Sequence, residues 1–291
     1  MDATEIVVGT DGSGSSAAAV RWAAREAHRR GAALRVVHAY DWNWPGARFG
    51  GDVELKRAAD ELAETTVATA VAQAREVAPE VTVRRDAALG EAVPTLLASA
   101  KDAALLVVSN RGHGGFASLL LGSVSQRVAT HATCPVVVVR GRRDIVPGSG
   151  PVVVGVDGST SSLEALELGF RFAAERDAKL VAVRAYSPPS PPWGKGVQPV
   201  AYDTNERDVA EQQALTERVA PLRQKFPDVA VEGLVAHGGA ASVLAGVSKT
   251  AQIVVVGSRG HGGLAGTLLG SVGLQLLHHA DCPVVIARSD A

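Results

Sequence analysis

The sequence predicts an α/β protein built from one doubly wound unit written twice, each unit holding five parallel strands flanked by helices. Three observations carry this expectation. Short β-branched runs alternate with longer Ala-rich helical stretches, the runs are apolar throughout, and a set of landmarks recurs in the same order in both halves. Strand, helix, strand in repetition calls for right-handed crossovers and a parallel sheet covered on both faces. Strands buried on both faces read as continuous apolar runs instead of alternating.

Taken in order, the strand candidates of the first half are Ile6 to Val8, Leu34 to Val37, Val81 to Val83, Leu105 to Val108 and Val136 to Val139. Between the first two lies AAAVRWAAREAHRR (Ala17 to Arg30), and between the next two ELKRAADELAETTVATAVAQAREVA (Glu54 to Ala78). Shorter stretches complete four helices. The second half repeats the first. VVGTDGS at Val7 returns as VVGVDGS 146 residues later, LLLGSV at Leu119 returns as TLLGSV after 148, and Val107 to Arg140 matches Val255 to Arg288 at 20 of 34 positions. The connector RGRRDIVPGSGP (Arg140 to Pro151) is charged and rich in Pro, Gly and Ser, without periodicity. The domains are therefore expected at 1–141 and 150–291.

Composition removes several function classes. With 291 residues, 46% hydrophobic content and a net charge of −1, the chain is neither disordered nor self-repelling, and its length suits two cores. A pI near 6.7 supplies no basic footprint for DNA or RNA. No stretch of 18 apolar residues offers a membrane span, and MDATEIVVG lacks the positive charge and longer apolar core of a secretory signal. Cys134 and Cys282 sit in the related strings ATCPVVVV and ADCPVVIA, one position copied twice, which suits a reduced cytoplasmic protein better than a bridge.

Glycine, 31 of 291 residues, concentrates in two clusters at expected strand ends. In doubly wound sheets ligands bind beyond the carboxyl ends of the strands. After the first strand come GTDGSGSS (Gly9 to Ser16) and GVDGSTSS (Gly155 to Ser162), where Asp11 and Asp157 serve either as a turn and helix cap or as a carboxylate meeting a ribose or base. After the fourth come SNRGHGGFASLLLGSV (Ser109 to Val124) and GSRGHGGLAGTLLGSV (Gly257 to Val272). Such loops let backbone N–H groups converge on an anion, and the following helix adds the positive end of its dipole. Gly114, Gly115, Gly262 and Gly263 lie in the loop, as do Arg111, Arg259, His113 and His261, which can pair with phosphate or remain solvated. Neither a Walker lysine nor a dinucleotide fingerprint is present. No spacing of His with Cys suggests a metal centre.

The spacing Gly257, two residues, Gly260, nine residues, Gly270-Ser271 resembles the G-x2-G-x9-G-[S/T] motif of the ATP-binding branch of the universal stress protein family, and the tandem layout is similar to its two-domain actinobacterial members. The resemblance covers essentially the whole chain. It implies Rossmann-like sheets of strand order 3-2-1-4-5, with the two halves paired through their last strands as a pseudo-two-fold pair. It also implies ATP, with or without Mg2+, held by Gly9 with Asp11 and Gly155 with Asp157, and adenine read by backbone at Ala39 and Ala185, just past the second strands. The phosphate loop maps to Gly260, Gly270, Ser271 and Val272, and in the first half to Gly112, Gly122, Ser123 and Val124, with Ser109 in place of the leading glycine. The function implied is regulatory, with a homodimer or a regulatory protein as partner. Alternatives are a slow ATPase, a nucleotidyl or phosphoryl transferase with Asp11 or Asp157 on Mg2+, and cyclic AMP binding. The loops Tyr40 to Asp52 and Tyr186 to Asp203 read as lids or as surface excursions.

Overall fold

A computed structural model describes residues 5–41, 53–112, 121–140, 150–187, 204–260 and 269–288. The first lobe runs β1 (Glu5–Gly9), α1 (Gly14–Arg30), β2 (Ala33–Tyr40), α2 (Val53–Val77), β3 (Val83–Leu89), α3 (Ala92–Ser99), β4 (Leu105–Ser109), α4 (Ser123–His131) and β5 (Val136–Val139). The second repeats it as β6 (Val152–Gly155), α5 (Thr160–Ala174), β7 (Leu180–Tyr186), α6 (Thr204–Lys225), β8 (Val231–His237), α7 (Ala240–Val247), β9 (Ile253–Gly257), α8 (Ser271–His279) and β10 (Val284–Ala287).

All ten strands form one sheet in the order β3-β2-β1-β4-β5-β10-β9-β6-β7-β8. Each lobe thus has the order 3-2-1-4-5, parallel within itself, and the lobes join where β5 and β10 pair antiparallel, with Val137 opposite Val285. The joint covers two edges that would otherwise expose unpaired backbone beside four consecutive valines or their copy. Ile6, Val8, Leu105, Val107, Val154 and Val255 point into one buried cluster with α1, α2, α5 and α6, while Val7, Leu106, Val108, Val254 and Val256 point into another on the opposite face. Two such faces require apolar side chains in both directions along a strand, the origin of the unbroken runs.

Two sequence expectations need correction. The third strand does not occupy Val81 to Val83 but begins at Val83 and runs through Arg84, Arg85 and Asp86 to Leu89. It is an edge strand with one flank open, so its apolar signal is diluted by exposed charges. The second strand also runs past Val37 to Tyr40, because β3 pairs alongside it as far as Leu89. Ala39 and Ala185 therefore lie within β2 and β7, opposite Ala88 and Ala236, and not beyond the strand ends.

The lobes are fastened by side chains as well as by the sheet. Arg140, just after β5, donates from Nη1 to Leu276 O (2.9 Å) and Leu277 O, and from Nη2 to His278 O (2.9 Å), at the end of α8. Arg288, just after β10, donates to Ala129 O (2.6 Å) and Thr130 O (2.8 Å) of α4. Each lobe thus supplies the cation that satisfies the terminal carbonyls and the negative dipole end of the other's last helix. On the α1 and α5 side, fully buried Glu26 accepts from Arg30 Nε (2.7 Å) and from Arg176 Nη2 of the second lobe (2.5 Å). Both guanidinium groups lie over the Phe172 ring, at 4.7 and 4.6 Å. Burial works to raise the Glu26 carboxyl, but the neighbouring arginines outweigh it and hold the group below its ordinary range.

Candidate functional site

The carboxyl ends of β1 and β4 in one lobe, and of β6 and β9 in the other, bring the first-strand aspartate and the glycine loop together. The aspartate is held by its own turn. Gly12 and Gly158 adopt φ of +80° and +92°, a region that favours glycine. That turn lets Asp11 Oδ1 accept from Ser13 N–H at 3.0 Å and Asp157 Oδ1 from Ser159 N–H at 2.9 Å. Ser13 and Ser159 then cap α1 and α5, accepting from the N–H of Ser16 and Ser162. The cap reading of this segment is thus correct, and it leaves Oδ2 pointing elsewhere. A Cβ on Gly112 would stand 2.3 Å from Asp11 Oδ2, and one on Gly260 2.5 Å from Asp157 Oδ2. In both lobes the carboxylate fits against the loop only because that position has no side chain.

The serines of the same turn tie the loop from the other side. Ser15 Oγ donates to Arg111 O at 3.0 Å, and Ser161 Oγ to Arg259 O. Gly122 N–H donates to Asn110 O (2.8 Å) and Gly270 N–H to Ser258 O (2.7 Å), closing the loop at the start of α4 and α8. The first intrahelical bonds there are Gln126 N–H to Gly122 O and Leu274 N–H to Gly270 O. The amides of Ser123, Val124, Ser271 and Val272 therefore have no intrahelical acceptor. Gly122 and Gly270 have φ of −78° and −70°, and a Cβ on either would meet nothing nearer than 3.5 Å. Packing among the described residues does not demand glycine at these two caps.

The lobes differ at the leading position. Ser109 is buried, with Oγ donating to Arg111 O at 2.6 Å, and its carbonyl accepts from Ser125 Oγ at 2.6 Å. The second lobe has Gly257 and Gly273 in these two places. Gly257 is not in the left-handed region, so the conformation itself permits serine. Its requirement is steric: a Cβ there would lie 2.6 Å from Ser161 O.

Gly9 and Gly155 end β1 and β6, and a Cβ on them would touch Leu96 at 2.9 Å and Leu244 at 2.9 Å, so their smallness serves strand-to-helix packing. Arg111 and Arg259 are exposed at the loop entrance. His113, Gly114, Gly115, His261, Gly262 and Gly263, and most of the two long loops, lie outside the described residues. The expected residues that are described converge at each lobe's strand ends; Ala39 and Ala185 sit one strand over, two residues beyond Val37 and Val183, which pair with Gly9 and Gly155. Sequence reasoning missed Ser15 and Ser161, although the repeated serines after each DGS were the available signal, and it missed Ser125, whose counterpart is Gly273 and which no repeat marks. It also missed the Tyr40 hydroxyl on Asp60 (2.6 Å) and its second-lobe counterpart, Tyr186 on Asp208 (2.7 Å).

Cys134 and Cys282 are buried, one in each lobe. Among the described residues no group of three or more His, Cys, Asp or Glu could hold a metal ion, and no helix is long and apolar enough to cross a membrane.

Fold and site together define a tandem doubly wound α/β protein whose strand ends carry an aspartate turn set against a glycine loop in each lobe. The sequence profile of the universal stress protein family matches residues 3–140 and 149–288, and the chain belongs to that family. Among curated relatives, universal stress protein Rv2623 of Mycobacterium tuberculosis is 37% identical over 294 residues, covering 97% of this chain and 96% of the relative. Universal stress protein Rv2005c of the same organism is 35% identical over 294 residues, with the same coverage of 97% and 96%. A crystal structure of a universal stress protein from Archaeoglobus fulgidus superposes with a TM-score of 0.71 over 98% of this chain and 96% of that one, at 17% identity, and so shares the fold.

Proposed function

We propose that each lobe binds ATP at the ends of its first and fourth strands, and that occupancy regulates how this cytoplasmic protein associates with a regulatory partner or with a second copy. The observation that carries the reading is the aspartate Oδ2 seated against a glycine in both lobes, with the open N-terminus of α4 or α8 adjoining the same loop. A carboxylate suits a ribose hydroxyl, and a glycine turn leading into unpaired helix amides suits phosphate. Among the described residues packing does not require the glycine caps at 122 and 270, and none crowds that approach. Asp11 and Asp157 fit the site as ribose acceptors, and a Mg2+ ion would be held mainly by the phosphates, since each site offers a single carboxylate.

The sites are unequal in this reading. Ser109 and Ser125 knit the first-lobe loop internally, so the second lobe, with Gly257 and Gly273, is the more open receptor. Titration calorimetry with ATP on the purified protein tests the proposal, with ADP and cyclic AMP as competitors. Two sites of differing affinity that prefer ATP are expected. A folded protein that binds no adenine nucleotide refutes it, and preference for cyclic AMP refutes the assignment of ATP.

A further inference from the structure

We propose that the groove between α6 and the outer edge of β8 receives an extended segment of a partner protein carrying lysine or arginine, which adds to the sheet as an eleventh strand. The groove shares no residue with the nucleotide site proposed above. Its lining includes Asp208, Gln212, Glu217, Gly233, Val235 and His237. Its volume of about 1060 Å³ stands at the top of the about 300–1,000 Å³ range of small-molecule pockets. An open trough of that size along a strand suits a chain segment better than a compact ligand.

The backbone of β8 is set out for pairing. At its two ends Leu180 N–H donates to Ala230 O and Gly238 N–H to Tyr186 O. By the alternation of a parallel ladder, even-numbered residues of β8 serve β7 and odd-numbered ones turn their N–H and C=O outward. Val231 O is already taken by Arg223 Nη2 at 2.7 Å, which leaves Gly233 and Val235 facing the groove. An added strand would draw its main-chain hydrogen bonds from these two residues and its selectivity from the side chains around them.

The first lobe supplies the comparison. Its own outer strand, β3, has Arg85 where β8 has Gly233 and Leu89 where β8 has His237. Charged side chains on an edge strand discourage pairing with another chain. The β3 edge carries Arg84 and Arg85, while Lys and Arg are absent from β8. The two edges of one sheet therefore differ in charge: β3 carries two arginines, whereas the formal charge on β8 is the single carboxylate of Glu232, paired with Lys179, and it is this edge that borders the groove.

Charge selects the occupant. Asp208 and Glu217 are carboxylates, and among the described residues no Lys or Arg lines the groove. Asp208 Oδ1 accepts from the Tyr186 hydroxyl at 2.7 Å and lies 2.8 Å from His237 Nε2, which fixes its position at one end of the trough. The nearby cations are engaged with the protein itself, Arg223 on Val231 O at the start of β8 among them. Arg207 pairs with Glu211 at 2.9 Å and lies over the Tyr186 ring, and Lys179 pairs with Glu232. Val235 and Val209 add apolar surface for alternate side chains of the incoming segment.

The test uses the full chain and a fluorescein-labelled ten-residue peptide of alternating Lys and Val, with the alternating Glu and Val peptide as control, read by anisotropy. The lysine peptide is expected to bind and the glutamate peptide not to. Gly233→Arg, which installs the first-lobe residue, should weaken binding by at least about tenfold while ATP titration is unaltered. Glu217→Gln, on an exposed helix face, should weaken binding several-fold and covers the case in which Gly233→Arg does not fold. In hydrogen exchange, saturating peptide should slow the amides of Gly233 and Val235 and leave those of Arg85 and Ala87 unchanged. Absence of lysine-peptide binding, or equal binding by wild type and both variants, overturns the proposal. So does a concentration-dependent dimer that protects Gly233 and Val235 without peptide, since β8 would then pair with a second copy.

Discussion

Adding one methyl group at Gly260 tests the proposed site at its tightest point. A Cβ there would lie 2.5 Å from Asp157 Oδ2, and real contacts of this kind essentially never fall under 3.0 Å. The carboxylate must therefore retreat by at least about half an ångström, and by more at Gly112, where the corresponding distance is 2.3 Å. The retreat pulls on Oδ1, which Ser159 N–H holds at 2.9 Å. A hydrogen bond to a charged group contributes about 1.5–3 kcal/mol, and the displaced carboxylate is also moved from where a ribose would meet it. We expect Gly260→Ala to weaken ATP binding in the second lobe by about 10- to 100-fold, the equivalent of about 1.4–2.8 kcal/mol. Gly112→Ala should do the same in the first. Calorimetry on each single variant should show one site weakened and the other intact, and the double variant should lose both at micromolar ATP. Thermal shift is a parallel readout: ATP at about 100 times a site's dissociation constant should stabilise wild type by about 2.7 kcal/mol for each site so occupied and the double variant far less. Unchanged affinity and stoichiometry in a double variant that melts like wild type would refute the reasoning.

Other expectations concern the scaffold. Glu26→Gln removes the anion shared by Arg30 and Arg176, whose side chains are 14% and 5% exposed. Breaking a buried pair in this way costs about 3–5 kcal/mol, so the melting temperature should fall by about 6–20 °C at about 2–4 °C per kcal/mol; a fall under 2 °C would contradict it. Because the folded carboxyl sits below its ordinary 4.5, its stabilisation is complete above that value and is lost as pH falls through the depressed folded pKa. A plot of melting temperature against pH should accordingly show an acid limb below about pH 4.5 that is smaller in Glu26→Gln. Arg140→Ala strips donors from three carbonyls at the end of α8 and should destabilise by about 1.5–3 kcal/mol in denaturant melts; a change under 0.5 kcal/mol would show that water replaces the cap. Burial pushes the Cys282 thiol up to about 12, so a thiol-specific chromogenic disulfide at pH 8 should leave it unmodified until denaturant is added. Prompt modification of the native protein at Cys282 would contradict its burial.

The doubling of the chain and the order of its elements could be read from the sequence because burial on both faces imposes a strong pattern. The signal is clearest at β5, whose four valines are all core residues and whose expected and observed bounds coincide; at β4 the two differ by one residue, Ser109, at the carboxyl end. The pattern fails at β3, where one open flank admits Arg84 and Arg85 and erases the apolar run. That loss also hid the full length of β2 and misplaced Ala39. At the site, Asp11 and Gly112 were each recognisable, but their contact was not. The two are far apart in sequence, and the fit depends on the Oδ2 direction set by the Gly12 turn. Nor could the exchange of Arg140 and Arg288 between lobes be foreseen, because the arginines were visible only as copies of one another and symmetry does not say whether a copy serves its own lobe or its neighbour.

That exchange bears on how the protein is made. Synthesis runs from the N-terminus, so α4 leaves the ribosome long before Arg288, and β5 emerges with its four valines well ahead of β10, its eventual neighbour. Throughout translation of the second lobe the first one waits with a sticky valine border and an unfinished helix end, a species prone to seize a sister chain. The completed polypeptide shields itself, because β10 lies along that border.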